Sequence, residues 1–150
     1  YVITDFSDYP KIKPCIRNIE VPVGTNNPGI SRQLGIEAAR GDYVFFSDAD
    51  DMFGNNLVMF DFKQIARQGQ LDICRVPFYV EHIHPDTKEN LYTVTSDDFT
   101  WVFGKLFRRQ YLIDNNISFP SNINRNEDCY FIGLAFSLTQ KVGSLPAPLP

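Results

Sequence analysis

The sequence predicts an α/β domain, and three observations lead to that class. A helical segment with a start signal and a stop signal spans residues 27–41. The run Tyr-Val-Phe-Phe at residues 43–46 shows no polar alternation, which is typical of a strand covered on both faces. An acidic cluster, Asp48-Ala49-Asp50-Asp51, follows that strand at once. Because ligands bind beyond the carboxyl ends of strands in open α/β sheets, these elements predict a polar site at one edge of a sheet.

Size and composition fit one globular domain. The chain has 150 residues and 17.2 kDa, with 43% hydrophobic and 21% charged residues, the usual range for a single soluble domain. Its formal charge of −4 and pI of 5.1 leave no basic surface for phosphate backbones or anionic lipids. A nucleic-acid partner is therefore not expected.

Cysteine spacing and the two chain ends complete the broad picture. Cys15, Cys74 and Cys129 form no C-x-x-C pair, so the cysteines favour a reducing cytoplasm over a disulfide framework or a zinc site. The longest apolar stretch, residues 130–138, is about half the length of a membrane-spanning helix. The chain opens in a strand-like segment and closes on L-P-A-P-L-P, so we expect it to be a piece of something longer.

The first helix has the clearest signals. Asn27 is a suitable N-cap, and Pro28 occupies the first helical position, where its missing N–H costs nothing. Gly41 is the expected stop. The apolar residues that recur at helical spacing are Ile30, Leu34 and Ala38.

Periodicity and turn residues predict the remaining elements. Pro77 indicates an edge strand or a bulge, because proline cannot donate to a ladder. Helices are predicted at residues 56–68, 109–115 and 127–141, and strands at residues 1–5, 18–23, 43–46, within the β-rich stretch 71–84, and at 91–94 after a turn at 85–90.

The carboxylates of the acidic cluster are the sharpest chemical feature. Asp48, Asp50 and Asp51 lie within four residues, and like charges this close repel one another unless a cation lies among them. Hard divalent ions prefer such oxygen ligands. A solvated acidic turn is the alternative. An EF-hand is excluded because Phe53 and Met59 stand where that loop needs Gly and Glu.

Glu127 and Asp128 open the last predicted helix. The helix dipole stabilises carboxylates there, so capping competes with a catalytic role as the explanation. His82 and His84 share one face of a predicted strand, but no third metal ligand is evident and we interpret them as structural. The sequence has no G-x-S-x-G, Walker or G-x-G-x-x-G motif, so acyl transfer is not expected.

Two ordered blocks resemble the family 2 glycosyltransferases of the GT-A fold. The first block, residues 26–51, reads N-N-P-G-I-S-R-Q-L-G-I-E-A-A-R-G-D-Y-V-F-F-S-D-A-D-D. It is similar to the family pattern N-x-G-x-S-x-A-R-N-x-G-I-x-x-A-x-G-x-Y-[IV]-x-F-x-D-x-D-D. The second block begins F-G-K-L-F-R-R-Q-Y-L-I-D-N-N-I-S-F-P and continues to N-E-D-C-Y-F. It looks like the downstream region of the same family. Gln33 stands where the family usually has Asn, and the preceding segment, residues 28–31, is one residue shorter than the common family spacing.

The resemblance implies a fold and a boundary. It implies a GT-A mixed sheet flanked by helices, in a single domain over residues 1–150 that lacks the first strand and helix of the family. Residues 4–8, T-D-F-S-D, then match the end of the second family strand, where an Asp contacts the nucleotide base. On this match Asp5 and Asp8 are donor-binding residues.

The resemblance also implies a mechanism. Magnesium or manganese would be held by Asp50 with Asp48 or Asp51, with Asp48 facing the donor ribose as the alternative. Asp128 would be the base that deprotonates the acceptor hydroxyl, giving inversion. Its place at a helix start leads us to expect a lowered pKa. Arg32 would line the donor cleft.

The acceptor side and the partners are less sharply implied. Glu127, Trp101, Lys105 and Arg108 are candidates for the acceptor or phosphate side, with a solvated basic face and a half-buried tryptophan as the alternatives. The donor would be a nucleotide-sugar, with UDP-sugars first. The acceptor would be a carbohydrate, a lipid-linked molecule or a protein, as in polysaccharide biosynthesis. The expected location is the cytoplasm, including the cytoplasmic face of a membrane.

Two other functions compete with transfer. A truncated domain that binds nucleotide-sugar and metal without catalysis would keep the same motifs. A nucleotidyltransferase would also have a nucleotide-binding α/β sheet, but its Gly-rich amino-terminal loop is not found here and the Glu127–Asp128 pair would go unexplained.

Overall fold

A computed structural model describes residues 17–23, 27–54, 57–68, 71–95 and 99–145. Strand 1–5 of the sequence prediction lies outside these residues. Within the described ranges the helices are α1 (Pro28–Ala38), α2 (Val58–Gln68), α3 (Arg109–Asp114) and α4 (Glu127–Ser137). The strands are β1 (Tyr43–Phe45), β2 (Ile73–Arg75), β3 (Phe78–Ile83), β4 (Asn90–Thr95), β5 (Lys105–Arg108) and β6 (Val142–Ser144).

Four of the strands form one mixed sheet in the order β1-β5-β2-β6. Strand β5 is antiparallel to both of its neighbours, with Phe107 paired with Val44 on one side and with Ile73 on the other. Strands β2 and β6 are parallel. Strands β3 and β4 form a separate antiparallel hairpin in which Phe78 pairs with Thr95 and Ile83 with Asn90.

Apolar side chains cover both faces of the mixed sheet. On one face, Val44, Ile73 and Phe107 pack with residues of α1, α3 and α4. On the other face, Cys74 and Leu106 pack with α2. Successive strand residues therefore enter opposite layers, which confirms the interpretation of residues 43–46 as a strand covered on both faces.

Helix α1 begins as predicted and ends earlier. The Asn27 side chain accepts a hydrogen bond from the Gly29 N–H at 2.9 Å, and Pro28 fills the first turn. The helix ends at Ala38, because Ala39 is extended with φ −64° and ψ 144°. The stop expected at Gly41 is thus two residues beyond the observed C-cap, Ala39. Ile36 is buried on this helix.

Three elements differ from the sequence prediction. Residues 18–23 form no strand, and Pro22 near their end would lack a ladder donor. Strand β5 was not predicted, because four residues that run directly into α3 leave no turn signal between them. The last helix ends at Ser137 rather than at residue 141, since the chain turns there to place β6 beside β2. Pro77 lies between β2 and β3.

Candidate active site

A single arginine joins three carboxylates that come from two distant parts of the sequence. Arg32 donates from Nη1 to Asp128 Oδ1 at 2.7 Å and to Glu127 Oε1 at 3.0 Å. Its Nη2 donates to Asp48 Oδ1 at 3.1 Å and to Oδ2 at 3.4 Å. We call Arg32, Asp48, Glu127 and Asp128 the Arg32 cluster. It brings together the two motifs that the sequence carries in separate blocks.

Three elements position the cluster. Arg32 lies in the second turn of α1, Asp48 follows β1, and the two remaining carboxylates form the first turn of α4. Asp128 lies one turn before Phe131 and Ile132 on the buried side of α4, so helical spacing carries the carboxylate into the interior. Asn126, just before the helix, adopts a left-handed conformation with φ 61°.

Close approach of α1 to α4 depends on Gly29. A Cβ at this position would lie 3.1 Å from Cγ of Glu127 and 3.3 Å from Cβ of Phe119, both tighter than ordinary van der Waals contact. Glycine therefore lets the two helix starts meet and places Arg32 within reach of α4.

The cluster carries more negative than positive charge. One guanidinium faces three carboxylates, of which Glu127 and Asp128 have side chains only 11% and 12% exposed. Burial raises the pKa of Asp128; the Arg32 charge opposes this rise and the neighbouring Glu127 charge adds to it. The expectation of a lowered pKa is therefore wrong, because it considered the helix dipole and not the burial of the carboxyl group.

The acidic loop after β1 is folded onto itself. The Asp51 carboxylate accepts a hydrogen bond from the Asp48 N–H at 2.8 Å, and the Asp51 N–H donates to the Asp48 carbonyl at 3.1 Å. Asp50 is exposed and forms no hydrogen bond or ion pair with another described residue. Among the described residues, no group of three or more His, Cys, Asp or Glu side chains is placed to hold a metal ion.

A cleft lies beside the cluster. Its volume is about 670 Å³, which is within the usual range for sites that hold small molecules. The cleft has a polar lining on the side of the acidic loop, and α1 forms its other wall. The lining residues are Asn27, Pro28, Ser31, Arg32, Ser47, Asp48 and Ala49.

The candidate acceptor-side residues take different positions. Trp101 is 49% exposed and stacks on Phe103 with ring centroids 5.4 Å apart. Lys105 is 1% exposed, and its Nζ donates to the Trp101 carbonyl at 2.7 Å and to the Phe103 carbonyl at 3.4 Å. The alternative of a solvated basic face is therefore wrong for Lys105. Arg108 forms an ion pair with Asp72.

Other singled-out residues lie apart from the cluster. His82 is within 3.2 Å of the Thr93 hydroxyl across the hairpin, and His84 Nδ1 accepts from the N–H of Thr87 at 3.1 Å in its turn. Both contacts agree with the structural interpretation. Asp5 and Asp8 lie outside the described residues.

Sequence reasoning missed two contacts, one to Asp128 itself and one to the loop before α4. The Val102 N–H lies 3.5 Å from Asp128 Oδ2, and the Asn27 amide reaches the loop before α4. A backbone donor has no sequence signal. The Asn27 amide could have been suspected from its place as an N-cap, but its partners lie more than 90 residues away.

Comparison with known proteins now decides the family. The family described as glycosyl transferase family 2 matches this sequence over residues 3–125, more than half of the chain. The chain belongs to this family. The resemblance read from the two sequence blocks is thereby confirmed.

Two curated relatives from bacilli are similar to this family 2 chain. A poly(ribitol-phosphate) beta-glucosyltransferase of Bacillus spizizenii is 29% identical over 135 residues, covering 83% of this chain and 21% of the relative. The uncharacterized glycosyltransferase EpsJ of Bacillus subtilis is 31% identical over 159 residues, covering 92% of this chain and 44% of the relative. The chain thus spans less than half the length of these two relatives.

Solved structures of TarS from S. aureus share the fold. TarS 1–349 superposes with a TM-score of 0.70 at 22% identity, covering 97% of this chain and 46% of that one. The same protein in complex with UDP-GlcNAc gives a TM-score of 0.70 at 18% identity, covering 97% and 45%. These neighbours confirm the predicted α/β architecture, with a mixed sheet flanked by helices. Within the part of the chain that the structure describes, no helix has the length and apolar character to cross a membrane.

Proposed function

We propose that this family 2 glycosyltransferase moves a sugar, with inversion, from a nucleotide-sugar bound in the cleft to an acceptor hydroxyl. The observation that carries the proposal is the Arg32 cluster, in which one guanidinium links the loop after β1 to the first turn of α4. Family membership supports the reaction class. A UDP-sugar is the first choice of donor, since a TarS neighbour was solved with UDP-GlcNAc.

Asp128 has the properties of the general base. Burial raises the pKa of its carboxyl group, and a raised pKa strengthens a carboxylate as a proton acceptor. Arg32 and the Val102 N–H hold its two oxygens. In the proposed step Asp128 takes the acceptor proton while the acceptor oxygen bonds to the anomeric carbon. The bond to the diphosphate breaks on the opposite face, so the configuration inverts.

Arg32 and Asp48 are the proposed donor-side residues. Both line the cleft, and the Arg32 guanidinium is a planar donor suited to phosphate oxygens. Glu127 holds Arg32 from the other side. Arg32 would balance part of the charge that gathers on the leaving diphosphate. The assignment of Asp5 and Asp8 as residues that bind the nucleotide base stays a prediction.

The acidic loop offers one carboxylate that is available to bind a divalent metal. Asp48 is paired with Arg32 and Asp51 with a backbone N–H, whereas Asp50 is exposed without a described partner. Mg²⁺ is commonly held by one or two carboxylates together with substrate phosphates. We propose Asp50 as the main ligand, with Asp48 or Asp51 assisting, for magnesium or manganese. When bound, the ion supplies Lewis-acid stabilisation to the leaving diphosphate.

The acceptor is proposed by class only. Trp101, half exposed beside the loop that contacts Asp128, offers an aromatic face of the kind that stacks on sugar rings. The relative that acts on poly(ribitol-phosphate) favours a carbohydrate polymer over a lipid-linked or protein acceptor. Cys74 and Cys129 are free thiols, in keeping with a proposed cytoplasmic location.

Calorimetric titration with UDP tests the proposal, with and without manganese. We expect UDP to bind only when manganese is present. Asp50→Ala should abolish the manganese-dependent binding of UDP. Asp61→Ala, which removes a partly exposed carboxylate from the first turn of α2, is the matched control. UDP binding that needs no metal would contradict the metal proposal. Metal-dependent binding without release of UDP from UDP-sugars would instead favour a binding domain that lacks catalysis.

A further inference from the structure

We propose that Asn27 is a positioning residue: its buried side chain joins the start of α1 to the loop before α4 and so sets the distance at which Arg32 meets Asp128. This inference rests on the proposed function, in which Asp128 is the base. Asn27 is only 5% exposed. Its hydrogen bonds among the described residues reach no member of the Arg32 cluster, so it acts through the two segments that it connects.

The Asn27 amide has partners on both of its atoms. Oδ1 accepts from the Gly29 N–H at 2.9 Å. Nδ2 lies 3.0 Å from the Ile123 carbonyl, 3.2 Å from Asn124 Oδ1 and 3.4 Å from the Ser121 carbonyl. The opposite orientation of the amide would set its oxygen against three acceptors. The surroundings therefore fix one orientation, with the oxygen toward α1 and the nitrogen toward the loop.

Capping alone does not explain this arrangement. An N-cap needs only the acceptor, and Ser or Asp would serve α1 equally well. The amide nitrogen does something further, because it holds a loop whose residues are more than 90 positions away in the chain. Burying that nitrogen without its partners would leave a desolvated donor unpaired, which destabilises the fold, so the loop and the amide hold each other in place.

Both connected segments lead directly into the cluster. Arg32 follows Asn27 by five residues within α1, and Asp128 follows Asn124 by four residues. Gly29 packs against Glu127 between them. A shift of the loop relative to α1 therefore changes the contact between Arg32 and Asp128, which has an N–O distance of 2.7 Å.

Several groups face Asp128 and determine its titration. Arg32 comes from α1, Glu127 is its neighbour on α4, Asp48 comes from the loop after β1, and the Val102 N–H comes from the segment before β5. Of these, only Arg32 is both cationic and held on the helix that Asn27 caps. Loosening this helix from the loop should therefore weaken the one attraction that opposes the raised pKa of Asp128.

The test is an uncharged substitution that keeps the N-cap acceptor of α1. Asn27→Ser retains an N-cap acceptor and lacks the amide donor. The titration of the Asp128 carboxyl carbon, followed by ¹³C NMR in the full chain, should move upward, toward the value in Arg32→Gln. Asn115→Ser is the matched control, because the partner of that amide among the described residues is the Tyr111 carbonyl within its own helix end. It should leave the Asp128 titration unchanged.

An unchanged Asp128 titration in Asn27→Ser would overturn the proposal and leave Asn27 as a simple cap. If Asn27→Ser does not fold, Asn124→Ala decides, since it removes one acceptor from an exposed loop residue. A smaller upward movement would support the proposal, and no movement would overturn it.

A second measurement separates this inference from the proposed function. Release of UDP from UDP-glucose and UDP-GlcNAc should fall about tenfold in Asn27→Ser, because small displacements of a catalytic group cost rate steeply. UDP binding should persist. If the unaltered chain releases no UDP, the proposed function fails, while the NMR titration still decides whether Asn27 positions Arg32 against Asp128.

Discussion

The pKa values of two buried aspartates in this molecule shift in opposite directions. Asp72, the residue just before β2, is 5% exposed, and Asp128, in the first turn of α4, is 9% exposed. Burial pushes the pKa of both upward. For Asp72 the hydrogen bonds from Thr139 and Arg108 overcome that effect and lower the pKa, whereas the pKa of Asp128 stays raised.

The pKa shifts differ because Asp72 has an arginine that pairs with no other described carboxylate, whereas Asp128 shares its arginine. Asp72 accepts from Arg108 Nε at 2.9 Å and from the Thr139 hydroxyl at 2.6 Å, and it is the ion-pair partner that the structure gives Arg108. Asp128 shares Arg32 with two other carboxylates. A satisfied carboxylate stabilises a fold, and an under-compensated one is suited to accept a proton. Substitution of Asp72 should therefore lower mainly the free energy of unfolding, and substitution of Asp128 should lower mainly the rate of transfer.

The largest expected effect is on activity at Asp128. Asp128→Asn removes the proton acceptor and keeps the shape of the side chain, so UDP release from a UDP-sugar should fall about 10²–10⁴-fold. Metal-dependent UDP binding should remain within a few-fold of the unaltered chain, measured by calorimetry. Activity retained within a few-fold would mean that Asp128 is not the base.

The converse substitution should act on stability. Asp72→Asn leaves Arg108 without its carboxylate and should lower the free energy of unfolding by about 3 kcal/mol, measured by urea denaturation. Because the pKa of Asp72 is lowered in the folded state, this contribution is complete above the unfolded pKa of about 3.9 and is lost as the pH falls through the folded value. Per folded molecule, UDP release should be unchanged. A selective loss of activity would erase the contrast between the two sites.

A third substitution tests the packing that brings the cluster together. Gly29→Ala adds a Cβ 3.0 Å from Oδ1 of Asn27 and 3.1 Å from Cγ of Glu127. Both neighbours have to shift to make room for it, and we expect a loss of about 1–2 kcal/mol. Gly35→Ala in the same helix is the control, since its Cβ would meet no atom within 4 Å, and it should be neutral or slightly stabilising. Equal effects on the unfolding free energy at both positions would argue against close helix packing.

The smallest effect concerns the stability cost of Asp128 itself. Its raised pKa means that the folded state binds a proton more readily than the unfolded state, so the cost is complete above the folded pKa and disappears below about pH 3.9. Asp128→Asn should thus be more stable than the unaltered chain at pH 7, by less than the loss expected for Asp72→Asn, and equal to it near pH 3. A variant that is less stable at pH 7 would show that Asp128 is as well compensated as Asp72.

The same contrast shows what could be predicted from sequence. The start of α1, the buried β1 and the acidic loop follow from local rules, because Asn27, Pro28 and residues 43–46 signal their own conformation. The ion pairs of Arg32 and Arg108 depend on partners 96 and 36 positions away, which no local rule supplies. The sign of the Asp128 pKa shift was mispredicted for this reason: the helix dipole is a local effect, and burial comes from distant segments.

The β3–β4 hairpin is a segment that we expect can be replaced without disturbing the mixed sheet. It pairs only within itself among the sheets described, and its base is fixed where the Val76 N–H donates to the Gly104 carbonyl at 2.8 Å. Gly104 has φ 66°, and a Cβ there would clash with the Phe78 ring, so glycine is required at this attachment point. We expect that a different hairpin, or a reporter inserted in its turn, would change what the protein carries on that side without moving the residues of the Arg32 cluster.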